Sequence, residues 1–495
     1  MNKEQLIALL PLLITTVTVI AVMLFIAIRR HHWWNATLTV TGLNIALLSV
    51  VYVAFQLPVS MTQAGPALSG WGVTPLLVVD AYACFYMALL LITTLACITF
   101  SHAYMEGYQG NREEIYLLLV LALLGGLVMV CSRHLAGLFI GLELMSVPVY
   151  GMVAYTYRNR RSLEAGIKYM VLSATASAIL LFGMALIYAV AGTLSFNGII
   201  ASYLGQDASN PLLLAGTALL LAGLAFKLSF APFHIWTPDV YEGAPAPVGA
   251  FLATASKIAV FAVMLRFLYE SAALSSEYLR HALAVIAGIS IIVGNLLALT
   301  QTNIKRLLGY SSIAHFGYLL VPVVANFGHE PVGVYLITYA VTTLGAFGVV
   351  ALMSSPYKTQ DADQLYNYRG LFWRRPYLTG VMTVMMLSLA GIPVTAGFIG
   401  KFYVVMSAVN AGLWMLLALV VIGSAIGLYY YLRVMITMFL PEAGMHRYDA
   451  PKNWGYRAGG VVVLGLTVAM FLLGMYPGPV LELIRLAGMA ALGGQ

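Results

Sequence analysis

The chain has 495 residues, 61% of them apolar and only 9% charged, with a mean hydropathy of +0.90. A soluble domain carries about 25% charged residues, so a water-soluble globular protein is excluded. The net charge of +7 is spread over single residues and short loop clusters, which is how membrane topology is written and not how a nucleic-acid surface is built.

Apolar runs of about 20 residues, each able to cross a hydrocarbon core of roughly 30 Å, recur along the whole chain. The first, from Leu6 to Ile28, is too long for a signal-peptide core, and no small-residue cleavage site follows it. It predicts a membrane helix. No Arg- and Ser-rich leader precedes it, which favours a bacterial plasma membrane. The runs predict about 14 spans and an all-α polytopic fold. They lie near 5–28, 36–56, 77–100, 114–131, 134–156, 164–190, 211–235, 247–269, 279–300, 304–326, 332–354, 377–407, 411–440 and 459–485. The longest polar stretch, 355–376, is too short to hold a core of its own.

The loops orient these spans. Loops after odd-numbered spans carry Arg29, Arg30, Arg112, Arg158, Arg160, Arg161, Lys305, Arg306, Lys358, Arg369, Arg374, Arg375, Arg447, Lys452 and Arg457. Loops after even-numbered spans carry only Arg133 and Arg280. Excess Lys and Arg marks the cytoplasmic side, so both termini are expected on the periplasmic side of the inner membrane. Cys84, Cys97 and Cys131 all lie in apolar runs without the spacing of a metal or disulfide framework, and read as packing residues.

Ionisable side chains inside a span cost about 2.5–3.5 kcal/mol on insertion scales, so those retained are candidates for function. They are Glu143 in "LFIGLELMSVPVYG", Lys168 in "LEAGIKYMVLSATASA", Lys227 in "FKLSFAPFHIW", Lys257 in "FLATASKIAVFAV", His315 in "SSIAHFGYLL" and Lys401 in "GIPVTAGFIGKFYVVM". Lys168 is only a few residues into its span, and two readings stand: a proton-handling residue, or an interfacial lysine paired with Glu164 one turn earlier. His315 likewise reads as a proton relay or as a hydrogen-bonded packing histidine. Burial disfavours a charged amine and a nearby carboxylate favours it, so a lysine whose partner approaches and retreats gains and loses a proton. Glu143, the one carboxylate near the middle of a span, is the natural partner.

Two spans carry breaks. Pro232 lacks an N–H and clashes with the carbonyl of Leu228, so the turn after Lys227 should unwind and admit water. His234, two residues past that proline, stands where protons could be passed onward. Pro393, with glycines around it, interrupts the span that carries Lys401. Along an unbroken helix Lys401 would lie about 12 Å beyond this proline. Interrupted spans at matching places point to internal repeats, with segments 4–8 and 9–13 as two units inverted relative to each other. The expected organisation is 1–110 for helices 1–3, 111–270 and 278–440 for the repeats, and 441–495 for the last helix.

"FKLSFAPFHIWTPDVYEGAPAPVGAFLATASKIAVF", "NIKRLLGYSSIAHFGY" and "LSLAGIPVTAGFIGKFY" resemble the hallmarks of the antiporter-like subunits of respiratory complex I and of the cation/proton antiporters related to them. The resemblance covers essentially the whole chain. It implies a 14-helix subunit with inverted five-helix repeats, broken helices 7 and 12, and a hydrated polar axis at the membrane centre. By motif position, Glu143 matches the family's glutamate on the fifth helix. Lys227 matches the lysine on the seventh, Lys257 the one on the eighth and Lys401 the ionisable residue on the twelfth. Lysine at 401 instead of glutamate argues against the middle antiporter-like subunit. The chain ends soon after segment 14, without the long lateral helix of the longest family member.

The resemblance implies proton translocation coupled to quinone reduction elsewhere in an assembly. NADH, FMN, iron–sulfur clusters and quinone would then reside in partner subunits, with no cofactor or metal in this chain. The glycines lie in helices and form no GxGxxG after a strand. The expected partners are a neighbouring antiporter-like subunit, small membrane subunits and the lipid bilayer, with no nucleic acid. Two other readings remain: a subunit of a sodium/proton antiporter complex, and a non-pumping spacer of the membrane arm.

Overall fold

The computed structural model describes every residue except 1, 58, 63–64, 69, 107, 109, 206–208, 355–360, 442–448, 452 and 493–495. Lys358, Arg447 and Lys452, three of the basic loop residues named above, lie outside the described residues.

Helices α1 (Lys3–Ala8), α2 (Leu10–Ile28) and α3 (His32–Gln56) open the chain. Two small antiparallel pairings follow, β1 (Val59–Thr62) with β2 (Gly65–Leu68) and β3 (Trp71–Gly72) with β4 (Val78–Val79), a minor addition to the expected all-α fold. Next come α4 (Ala81–Met105), α5 (Glu114–Val130), α6 (Leu135–Val153), α7 (Arg160–Ala191) and the short α8 (Phe196–Leu204). The middle of the chain forms α9 (Pro211–Leu228), α10 (Trp236–Gly243), α11 (Ala246–Ala253), α12 (Ala255–Glu270), α13 (Glu277–Leu299), α14 (Ile304–Val324) and α15 (Glu330–Met353). The chain closes with α16 (Leu371–Arg374), α17 (Pro376–Ala390), α18 (Ala396–Asn410), α19 (Trp414–Phe439), α20 (Ala458–Met475) and α21 (Gly478–Leu492).

Helices dominate because a backbone surrounded by lipid must satisfy its polar groups internally. Their starts are marked by asparagines: Asn159, Asn210 and Asn303 each accept a hydrogen bond from the first backbone N–H groups of α7, α9 and α14. Among the described residues, 12 helical segments are long and apolar enough to cross a membrane, with α11 and α12 taken as one. α5 and α17 are apolar but shorter.

Burial separates a centre from a rim. The most apolar window of Ala246–Glu270 and that of α14 are 100% buried, against 39% for α2 and 28% for α20. The rim exposes large apolar side chains such as Phe55, Ile28 and Met415, as lipid or neighbouring helices require. Several helix pairs touch backbone to backbone, among them α5 with α6, α7 with α9 and α13 with α14. A Cβ on Gly125 of α5 would lie 2.6 Å from the Gly141 carbonyl of α6, and one on Gly294 of α13 would lie 2.6 Å from the Ala314 nitrogen of α14. Only glycine permits that approach.

Polar contacts sort the loops into two ends. At one end Arg30 pairs with Glu114, Arg457 with Glu106, Arg161 with Glu242, and Arg375 with Asp449. At the other, Arg133 pairs with Glu270 and Arg485 with Glu330, and Gln5 Nε2 donates to the Gly72 carbonyl. The residues near both termini therefore share the end opposite the basic loops.

Candidate functional site

Lys227 lies in the last turn of α9, 5% exposed, where a cation complements the negative end of the helix. Its Nζ donates to Ser146 Oγ at 2.7 Å and Ser173 Oγ at 2.5 Å, and the Tyr150 hydroxyl bonds Ser173 Oγ at 2.8 Å. α9 stops at Ser229, whose backbone is left-handed, and the Ala231–Pro232 peptide is cis. Protein groups take up polar atoms exposed by this break. Trp236 Nε1 donates to the Phe226 carbonyl at 2.9 Å, and the Ala231 N–H donates to Ser290 Oγ at 2.9 Å.

Glu143 does not touch Lys227. Its Oε1 accepts from Ser177 Oγ at 2.5 Å. Ser177 and Ser173 stand one turn apart on α7, so hydroxyls on one helix face bridge the carboxylate and the amine. Glu143, the expected partner, is thus set off by one turn of α7: Ser177 holds the carboxylate, while Ser173 of α7 and Ser146 of α6 hold the amine.

Lys257, 1% exposed, begins α12 just after a break at Thr254. Its Nζ donates to Ser312 Oγ at 2.7 Å and lies 4.9 Å from the centre of the Phe316 ring. The Tyr339 hydroxyl also donates to Ser312 Oγ, at 2.8 Å. One turn along α14, His315 is hydrogen-bonded at both nitrogens, Nδ1 to the Tyr335 hydroxyl at 2.7 Å and Nε2 to the Tyr431 hydroxyl at 3.0 Å. Beside it lies a cavity of about 10 Å³, lined by His315, Tyr335, Thr338, Thr342 and Ser388 among others. That is room for on the order of one water.

Beyond the cavity, Ser388 Oγ bonds Thr342 Oγ1 at 3.0 Å. Lys401 follows. The expectation of about 12 Å of separation from the break assumed an unbroken helix. Instead α17 ends at Ala390, Gly391 turns left-handed, and α18 starts afresh at Ala396, so the lysine folds back. Its Nζ donates to the Ala390 carbonyl, the exposed end of α17, at 2.8 Å. It also lies 5.5 Å from the centre of the Tyr318 ring. Gly391 is required twice: its φ is +85°, and a Cβ there would lie 2.7 Å from Lys401 Cδ.

Lys227, Lys257 and His315 are thus buried among hydroxyl and aromatic partners, and the part-buried Glu143 and Lys401 are held by a hydroxyl and by a carbonyl. Two expected residues are not. Lys168 is 43% exposed and pairs with Glu164 at 2.7 Å and Asp239 at 3.0 Å, the interfacial arrangement. Asp239 also takes Arg306, at 2.7 Å. Burial works to raise its carboxyl, but these cations hold it below its ordinary value. His234 is half-buried beside the break, and its Nδ1 has no hydrogen-bond partner among the described residues.

Sequence reasoning missed the hydroxyl and tyrosine carriers, although "LSATASA" and "YSSIAH" show them as polar residues at helical spacing. It also missed a buried charge cluster. Arg266 of α12 is bidentate on Asp80, at 2.8 and 2.9 Å, and lies 3.4 Å from Glu270. Burial opposes the charge on Asp80, but Arg266 and the Ala83 N–H hold its carboxyl below the ordinary value. Nearby, burial and then the charge of Arg266 lower the His329 imidazole to about 4. Among the described residues no cluster of three or more His, Cys, Asp or Glu is placed to hold a metal ion.

The chain is similar to known proteins over nearly its whole length. The family described as NADH:quinone oxidoreductase/Mrp antiporter, TM, matches residues 132–427. The NADH-quinone oxidoreductase subunit N of Ectopseudomonas mendocina (strain ymp) is 59% identical, over 99% of this chain and 98% of that protein. The protein of the same name from Chromohalobacter salexigens is 60% identical, over 97% and 98%. Among solved structures, a chain of respiratory complex I from Thermus thermophilus with bound aureothin superposes with a TM-score of 0.80 at 33% identity, covering 95% of this chain and 98% of that one.

Proposed function

The chain belongs to the NADH:quinone oxidoreductase/Mrp antiporter membrane family, and we propose that it is the proton-translocating, antiporter-like membrane-arm subunit of an NADH-quinone oxidoreductase. The observation that carries this reading is the set of ionisable groups within the helices: Lys227, Lys257 and His315 buried, Glu143 and Lys401 part-buried, each held by hydroxyl or carbonyl partners, with a water-sized cavity beside His315. Such groups are expensive at membrane depth and are retained where protons or ions move.

In this reading Lys227 changes proton affinity as Glu143 is brought nearer or screened by the Ser173 and Ser177 hydroxyls. Lys257 and His315 relay through Ser312, Tyr339 and Tyr335, and Lys401 exchanges protons at the second break. Quinone reduction takes place in partner subunits, which hold NADH, FMN, iron–sulfur clusters and quinone; this chain supplies transport. Its partners are a neighbouring antiporter-like subunit and small membrane subunits. The membrane is the bacterial inner membrane, with basic loops in the cytoplasm and both termini on the periplasmic side. The helix breaks after Lys227 and before Lys401, in segments 7 and 12, support repeats at 111–270 and 278–440 within about 14 spans.

The test is proton pumping by the assembled complex in vesicles. Lys227→Ala should lower the protons moved per quinone reduced, with the complex intact. Normal pumping by that variant would leave a structural spacer. Activity driven by a sodium gradient without quinone would favour an antiporter.

A further inference from the structure

We propose that the far end of α12 holds a second proton-exchanging site, a hydrated pocket formed by Glu270, Arg266 and His329 and opening on the face that carries the termini. The proposal rests on the transport function above and adds to it a site that exchanges protons with one aqueous face and acts on α12. Arg266 is fully buried in a network with Asp80, Glu270 and Arg133, yet polar atoms in it remain unsatisfied. Among the described residues, Arg266 Nε and Glu270 Oε2 are buried without a hydrogen-bond partner, and so are both ring nitrogens of His329. His329 is only 4% exposed. These atoms belong to one neighbourhood: the Tyr82 ring lies 4.6 Å from the Arg266 guanidinium and 5.2 Å from the His329 ring.

Leaving several such atoms unpaired in one buried place is costly, and buried polar atoms in folded proteins are normally satisfied by protein or by ordered water. Arg266 Nε only donates, Glu270 Oε2 accepts, and a neutral imidazole does one of each. Water is the small molecule that serves donor and acceptor alike. A route to bulk water lies alongside. Tyr269 packs on His329 at 4.6 Å, and Tyr269 and Gly328 line a cleft of about 590 Å³. The Gly328 N–H donates to the Tyr269 hydroxyl at 3.2 Å, so this contact stands between cleft and pocket.

The pocket does not continue the central axis. Between Lys257 and Arg266, over about 13 Å of helix, residues 258–265 are all apolar and buried. Exchange is therefore with the adjacent aqueous face: a proton passes from bulk through the bound water to Glu270 Oε2 and returns the same way, with no other bond changed. Loading Glu270 removes its charge beside Arg266 and loosens the hold on one end of α12. The other end of that helix carries Lys257.

The experiment uses the assembled complex. A structure resolving solvent should show ordered water bonded to His329 and Glu270; a dry pocket overturns the proposal. In vesicles, His329→Phe and Glu270→Gln should each lower the proton-to-quinone ratio at least threefold, while His329→Gln keeps half or more. A dry packing histidine predicts the opposite, since phenylalanine removes the unpaired nitrogens and would leave the ratio unchanged. Should His329→Phe fail to assemble, Glu270→Gln and the solvent structure decide. If Lys227→Ala lowers the ratio and these variants do not, the second site is wrong and the transport function stands; if Lys227→Ala pumps normally, the transport function itself falls.

Discussion

Lys227 shows how one side chain is held ready without a fixed charge partner. Its amine rests on two serine hydroxyls, Ser146 and Ser173, and Glu143 is held by a third, Ser177, one turn along α7 from Ser173. A hydrogen bond to a charged group is worth about 1.5–3 kcal/mol. Ser173→Ala should therefore slow pumping roughly tenfold while leaving Lys227 in place. Glu143→Ala should impair pumping more than Glu143→Asp, because aspartate keeps the charge that the bridge transmits. Equal pumping by the two Glu143 variants, both fully assembled, would remove the carboxylate from the switch. His329 gives a pH dependence of known sign. Its proton affinity in the folded chain, at about 4, is below the ordinary 6.5. The unfolded chain takes the proton first, so the stabilisation is complete above about pH 6.5 and is lost as pH falls towards 4, a total of about 3 kcal/mol. Thermal unfolding of the complex should drop more steeply from pH 7 to pH 5 in the unaltered protein than in His329→Phe. Parallel curves would mean that burial leaves the proton affinity of this imidazole unchanged between the folded and unfolded states.

At the scale of elements, the two broken helices differ in which side of the break carries the lysine, yet both set an amine close to a helix C-terminus. The breaks were legible in the sequence because proline and glycine interrupt apolar runs. The return of Lys401 to Ala390 was not, since it depends on the direction α18 takes after Gly391, and that direction is set by packing. The same limit hid Arg266. It stands in an apolar run, and only the fold brings Asp80 to it from 186 positions away. The lysine at the second break yields a further expectation. A residue that hands on protons must lose its charge during turnover. Arginine stays charged. Lys401→Arg should therefore block pumping and quinone reduction about as severely as Lys401→Ala. Full activity in the arginine variant would mean that Lys401 supplies only a fixed positive charge at the end of α17.

For the whole molecule, the pattern of contacts between loops tests the span count more sharply than helix length does. α5 and α17 are shorter than the other membrane-length helices, and leaving α5 out of the count would put Glu106 and Arg133 on the same face. Yet Glu106 pairs with Arg457 among the basic loops, and Arg133 pairs with Glu270 at the opposite end. Alternation of basic and non-basic loops, visible in the sequence, and alternation of these ion-pair partners, visible in the fold, are both consistent with a crossing by α5. The excess of Lys and Arg at one end predicts that this end faces the cytoplasm. The three native cysteines are buried, so single introduced cysteines report their own position. With an impermeant thiol reagent outside intact cells, Glu277→Cys should label after the outer membrane is made permeable, and Arg158→Cys should label only after the inner membrane is opened. Both positions are exposed in the fold. The reverse pattern would invert the subunit, and labelling of both from outside would break the alternation over the helices from α7 to α12.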